Sequence, residues 1–137
     1  IDLLKSSSHK EIQSLGQRLL NAKLSKRLTI ETPPFLTTCG MYREMSNVLY
    51  QMLKQHDLVL LKGDVNYRRL FGDRHWPPTT PIEDAADYFP TSFLSLRTLK
   101  ADLILGLTQE QLDEIIKHAE SDWLTNGKRG MITFFQK

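Results

Sequence analysis

The sequence predicts an α/β fold, a three-layer α/β/α sandwich on a mostly parallel sheet. Three observations carry that expectation. Segments with helical spacing alternate with short apolar runs in the order helix, strand, loop, strand, helix, strand. The run Leu58, Val59, Leu60, Leu61 is continuous and apolar, as suits a strand covered on both faces inside a sheet. With 137 residues, 40% hydrophobic and 25% charged, the chain has the size and balance of one soluble globular domain. Three or four short strands make a thin sheet, which points to missing partners.

From the start of the chain, Ser8 and Glu11 form a capping-box pattern, and Ile12, Leu15, Leu19 and Leu20 recur at helical spacing. A helix is expected over about His9 to Lys23, weakened slightly by Gly16. Leu28 to Ile30 reads as a short strand, and Pro33-Pro34 with Thr37-Thr38 as a loop, because proline neither donates to a ladder nor continues a helix. Met45, Val48, Leu49, Met52 and Leu53 trace one apolar stripe, so a helix is expected over about Met41 to Gln55. That methionine-bearing stripe reads as core packing rather than a cofactor surface.

After the Leu58 to Leu61 strand, Phe71 to Pro90 reads as a long irregular connection with one helical turn near Asp84 to Tyr88. Trp76, Tyr88 and Phe89 are candidates to pin it to the body. Phe93 to Leu99 reads as a short helix or turn, and Leu103 to Leu105 as a buried strand ended by Gly106. Thr108 and Gln111 make a second capping box ahead of Leu112, Ile115, Ile116 and Ala119, with Asn126-Gly127 as the stop. Met131 to Phe135 is the last strand.

The formal net charge is +2, from 18 basic and 16 acidic residues, too balanced to argue for nucleic acid or an acidic membrane surface. Cys39 is the only cysteine, which excludes an internal disulfide or a paired-cysteine zinc site and makes cytosol or nucleus the simplest home. No apolar stretch approaches the roughly 18 residues of a membrane helix. The first residues, Ile1 to Lys5, lack the layout of a secretory signal and an initial methionine, so the chain is expected to be a piece of something longer.

Candidate chemistry gathers in two places. Beyond the Leu58 to Leu61 strand stand Lys62, Gly63, Asp64, Asn66 and Arg68: an ammonium for a phosphate, a glycine for close backbone approach, a carboxylate acceptor, and two donors for phosphate or hydroxyl oxygens. Open α/β sheets bind ligands at such strand ends. Lys-Gly-Asp is equally an ordinary strand-to-turn ending. The second cluster is Arg97, Thr98 and Lys100, two cations and a hydroxyl suited to an oxyanion, and equally a solvated basic turn.

His9, His56, His75 and His118 show no metal-ligand spacing. Cys39 reads as a structural thiol, and Glu83, Asp84 and Asp87 as a solvated acidic helix start. Asp73 with Arg74 reads as a turn with its ion pair. No Gly-x-Gly-x-x-Gly follows a strand and no P-loop is present.

Taken together, Lys62-Gly63-Asp64-Val65-Asn66-Tyr67-Arg68-Arg69-Leu70-Phe71-Gly72-Asp73-Arg74-His75-Trp76 and Arg97-Thr98-Leu99-Lys100 closely resemble subfamily III of the damage-control phosphatases. That subfamily carries a Gly-Asp-x-Asn-Tyr-Arg-Lys/Arg-Leu block and an Arg-Thr-x-Lys motif. Asn126 to Ile132 followed by Phe134 also looks like the family's last strand, so the resemblance covers roughly Pro34 to the end. It implies a metal-dependent phosphatase of sugar phosphates such as fructose phosphates and related phosphometabolites, on a Rossmann-like α/β/α domain with an additional helical region. Asp64, Val65, Asn66, Tyr67, Arg68 and Lys100 then correspond to substrate-binding positions, with Lys62, Gly63, Arg97 and Thr98 as further phosphate contacts.

The family holds a divalent metal, manganese, cobalt, nickel or magnesium, by an Asp-Asn pair and a further Asp, the first of which is the expected phosphoryl acceptor. Neither is found between Ile1 and Tyr50. The resemblance therefore makes residues 1–137 a C-terminal part, with 1–33 a helical or connecting segment and 34–137 the substrate-binding core. The nucleophile and metal ligands are expected upstream of residue 1, and the N-terminal part of the same protein is the expected partner besides a small phosphorylated metabolite.

Two other readings stand beside it. Protein-glutamate O-methyl transfer from S-adenosylmethionine has been ascribed to the subfamily, but no glycine-rich strand-to-helix turn suited to that cofactor is visible. A non-catalytic basic surface formed by Lys62, Arg68, Arg69 and Arg74 would bind anions or nucleic acid with a linear dependence on log salt.

Overall fold

Parallel pairing of two short strands sets the arrangement of everything near the candidate residues. The computed structural model describes residues 1–137 and divides into two compact units, Ile1–Pro33 and Pro34–Lys137. No helix is long and apolar enough to cross a membrane.

The first unit contains α1 (Asp2–Lys5) and α2 (Lys10–Leu24). The capping box expected at Ser8 does not form: His9 occupies the cap position, and the Ser7 hydroxyl accepts from its N–H at 3.2 Å. A Cβ on Gly16 would lie 2.8 Å from the backbone nitrogen of Lys5. The residue that weakens α2 in isolation is what lets α1 lie against it. Leu28 to Ile30 is not a strand; Leu28 N–H instead closes the helix end on the Ala22 carbonyl, and Ile30 is exposed.

The second unit runs through α3 (Asn47–Lys54), β1 (Val59–Lys62), α4 (Asp64–Phe71), α5 (Ile82–Ala86), β2 (Phe93–Thr98), α6 (Gln109–His118) and β3 (Gly130–Phe135). α3 is shorter than its apolar stripe suggested. Ser46 caps it by accepting from Leu49 N–H, and Tyr42–Glu44 forms a separate 3-10 turn that buries Tyr42. Leu49 is buried and Met45 and Leu53 pack on the core, whereas Val48 is exposed. The expected capping box at Thr108 and Gln111 forms, but α6 ends at His118, well before Asn126-Gly127.

The sheet has three strands in the order β1-β2-β3, with β1 and β2 parallel and β2 and β3 antiparallel. A mixed sheet thus replaces the mostly parallel one expected, and β1 stands at an edge, with Leu58 and Leu60 about half exposed. The central strand β2 falls where a helix or turn was expected. Its buried face reads Phe93, Ser95, Arg97, so two polar residues hide the period-2 apolar pattern. Leu103 to Leu105 is buried but is not a strand: Leu103 O accepts from Arg97, Leu105 N–H donates to the Tyr67 hydroxyl, and Leu103 N–H turns back to the Ala101 carbonyl.

One face of the sheet carries the core. Tyr67, Phe71, Phe89, Phe93, Leu105 and Phe135 are essentially inaccessible, with Phe93 central between Phe89 at 5.4 Å and Phe135 at 5.2 Å between ring centroids. The long connection after α4 is tied down as its aromatics suggested, by Trp76 Nε1 donating to Phe71 O and the Tyr88 hydroxyl donating to Leu70 O. Strand register places Leu60, Leu94 and Phe134 in one row of the opposite face and Lys62, Leu96 and Ile132 in the next. Leu60, Phe134 and Ile132 are 55%, 58% and 73% exposed, so that face has no covering layer within these residues.

Between β1 and α4, Gly63 adopts φ 103° and ψ 156°, a region open essentially to glycine alone. Nothing lies within 4 Å of where its Cβ would be, so strain, not a clash, enforces the glycine. Gly63→Ala is expected to lower the unfolding free energy of the complete protein by about 1–3 kcal/mol, measured by urea denaturation; an unchanged midpoint would show that another backbone path serves equally well.

Candidate functional site

The residues from Asp64 to Phe71, which the sequence suggested as a polar stretch after a strand, form helix α4. A short strand, one glycine and a helix follow in direct succession, which brings the helix start to the end of the parallel pair. Lys62 pairs with Leu96, and Gly63 N–H donates to the Leu96 carbonyl at 2.7 Å. Register therefore carries the starts of the two motifs, Lys62 and Arg97, from 35 positions apart in the chain to the same end of the paired strands.

An open hollow of ≈ 490 Å³ lies there, lined by Lys62, Gly63, Arg97, Thr98, Gly130 and Ile132 among others. Lys62 and Thr98 alternate with buried neighbours and lie on the uncovered face of the sheet. Lys100, two positions past Thr98, is exposed; neither it nor Asp64 belongs to the lining. Gly130, Met131 and Ile132 were read in the sequence as part of a last strand but not as lining of this hollow, which depends on the antiparallel pairing of β3 with β2.

The α4 residues are largely engaged within the protein. Asn66 accepts from the Tyr42 hydroxyl at 3.0 Å and donates to the Lys62 carbonyl at 2.8 Å, buttressing the strand end. Tyr67 is fully buried, and its hydroxyl reaches Leu105. Burial pushes its phenol above the ordinary value, with the Leu105 hydrogen bond and nearby Arg97 opposing, so it remains a neutral core group. Val65 is exposed.

Arg68 makes a two-pronged pair with Asp73, 2.7 Å on each prong, so Asp73 belongs to Arg68 rather than to Arg74. Arg69 is buried between the rings of Phe35 and Tyr42 and donates to the Gly40 and Phe35 carbonyls. That use removes Arg69 from any free basic surface.

Arg97 departs from its expected role as a phosphate contact. Its side chain is wholly inaccessible, with the guanidinium over the Tyr67 ring, 4.1 Å from the centroid. Nη1 donates to the Leu103 carbonyl at 2.7 Å, and Nη2 lies 2.8 Å from Asp64 Oδ1. That last contact pairs charges without an aligned hydrogen bond, and Oδ1 is buried with no hydrogen-bond donor. Arg97 is the cation in contact with Asp64.

A family model for the damage-control phosphatase ARMT1-like domain matches residues 1–116. The chain belongs to that family. The ARMT1-like match begins at residue 1 and so extends over the first 33 residues, which the motifs did not reach. Proteins named damage-control phosphatase ARMT1 are similar over nearly all of it: 37% identity in Danio rerio over 94% of the chain, and 33% in Homo sapiens over 98%. The chain spans about 30% of the length of these ARMT1 relatives, 30% and 31% respectively.

Within the 137 residues no three His, Cys, Asp or Glu side chains are placed to share one ion, so the groups present do not fit a metal site.

The Arg68–Asp73 pair gives a pH test. The hydrogen bond from Arg68 chiefly holds the Asp73 carboxyl below its ordinary 3.8. A carboxyl depressed by folding stabilises the fold above its unfolded value, and the gain is lost as pH falls through the folded value. Both side chains are about two-fifths exposed, 41% and 38%, so solvent screens the pair. Asp73→Asn is expected to cost less than about 1 kcal/mol at neutral pH, with the difference from the unsubstituted protein shrinking as the pH falls below 3.8 and gone below the lowered folded value; a penalty that persists in stronger acid would assign Asp73 another role.

Proposed function

We propose that this chain supplies the substrate-recognition part of a metal-dependent phosphatase acting on sugar phosphates, such as fructose phosphates, and related phosphometabolites. The observation that carries the reading is the union of the two family motifs at one end of the β1–β2 pair, through the Lys62–Leu96 register and the Arg97–Asp64 contact, beside an open hollow. An exposed ammonium at Lys62 and a second at Lys100 suit the oxygens of a phosphoryl group. The Thr98 hydroxyl adds a neutral donor, and Asp64 is an acceptor for sugar hydroxyls.

Chemically, Lys62 and Lys100 would oppose the negative charge on a transferring phosphoryl group, which matters more as water is excluded. The phosphoryl acceptor and the ligands of the divalent ion belong, in this reading, to residues of the longer protein outside these 137.

The same longer polypeptide is the proposed cover for the bare sheet face, over Leu60, Leu94, Leu96, Ile132 and Phe134. The basis is the chain's span of about 30% of its relatives, which leaves ample length for a second layer. A strand in parallel pairing is ordinarily covered on both faces. Covering that face would also wall the hollow that Lys62 and Thr98 overlook.

Lys100→Ala in the complete protein is expected to reduce turnover of a fructose phosphate by at least about tenfold, the scale of losing one oriented charged donor. Phosphate release assayed with manganese, cobalt, nickel or magnesium checks it, with unsubstituted rates removing Lys100 from the site. Absence of phosphate release from any sugar phosphate by the intact protein would remove the reading itself.

A further inference from the structure

A cation intended for a substrate phosphate is usually reachable from solvent, as Lys62 and Lys100 are. Arg97 is not: its side chain is 0% exposed and that of Asp64 is 15% exposed. The guanidinium has three neighbours that fix it: the Tyr67 ring face, the Leu103 carbonyl and the Asp64 carboxylate. Nη2 also lies 3.4 Å from the Ala101 carbonyl. Tyr67 is in turn held by Leu105, so the segment after β2 and the first turn of α4 close on one side chain. A planar five-donor group can serve partners in several directions at once, which an ammonium does less well.

We propose that Arg97 is a positioning residue for Asp64. It fixes one carboxylate orientation at the start of α4, beside the glycine that borders the hollow, and does not itself touch the substrate. The inference rests on the reading above that Asp64 accepts from a hydroxyl of the phosphorylated substrate. It divides the Arg-Thr-x-Lys motif by role: the arginine orients from behind the sheet, while Thr98 and Lys100 remain available to the ligand. Parting a buried charge from its partner is costly, so a change at Arg97 is felt first at Asp64.

The test is a double-mutant cycle in the complete protein, with kcat and KM measured for a fructose phosphate at saturating manganese. The variants are Asp64→Asn, Arg97→Met and their combination, with Arg97→Lys as a charge-keeping companion and circular dichroism as the check on folding. Loss of the substrate's hydrogen bond to the Asp64 carboxylate, removed in Asp64→Asn and misaligned in Arg97→Met, predicts a fall in kcat/KM of about tenfold or more for each single variant, carried mainly by KM. If Arg97 acts through Asp64, the combined variant falls no further than the worse single variant. Arg97→Lys recovers part of the loss.

Fully multiplicative losses, with Asp64→Asn impaired on its own, overturn the positioning role while leaving Asp64 as a substrate contact. Unchanged constants for Asp64→Asn overturn that contact and the positioning role together. Should Arg97→Met fail to fold, Arg97→Lys takes its place in the cycle with Asp64→Asn, and additive or non-additive losses decide between the two roles in the same way.

Discussion

The closing of β1 against β2 in parallel register is the constraint on which the arrangement rests. It fixes Lys62 opposite Leu96, and that in turn sets Asp64 beside Arg97 and Gly63 against the Leu96 carbonyl. Neither half of the contact is meaningful alone. A buried guanidinium without its carboxylate would be an uncompensated charge in a core of aromatic rings, and α4 would lose the anchor at its first turn. The aromatic packing around Phe93 keeps β2 where the register requires it, so hydrophobic burial and the ion pair support one geometry.

The signature block serves the fold along much of its length. Asn66 buttresses the end of β1, Tyr67 fills the core, Arg68 ties off the end of α4, and Arg69 joins the Phe35 and Tyr42 rings to their backbone neighbours. Positions in this block whose polar atoms are satisfied answer to packing; those whose polar atoms are free are the ones open to the proposed ligand.

Much of this was legible in the sequence where a local rule operates. The Thr108 capping box, the β1 strand, the long α2 and the anchoring of the connection by Trp76 and Tyr88 all follow from patterns confined to a few residues. What escaped depends on partners distant in sequence. Ser95 and Arg97 make β2 look too polar for a central strand, and Tyr67, Asp64 and the Leu103 carbonyl together explain how Arg97 is accommodated there. Leu103 to Leu105 looked like a strand because it is apolar and buried, yet its hydrogen bonds go to Tyr67 and Arg97. The strand-end location of the candidate site was readable; the inward turn of Arg97 was not, because the same motif suits a ligand and a clasp.

The bare face of the sheet has a practical outcome for anyone handling this segment by itself. Leu60, Ile132 and Phe134 present a greasy plane to water, and the unpaired edge of β1 adjoins it. Apolar surface of that kind favours self-association, so the behaviour of the isolated piece would depend on its concentration.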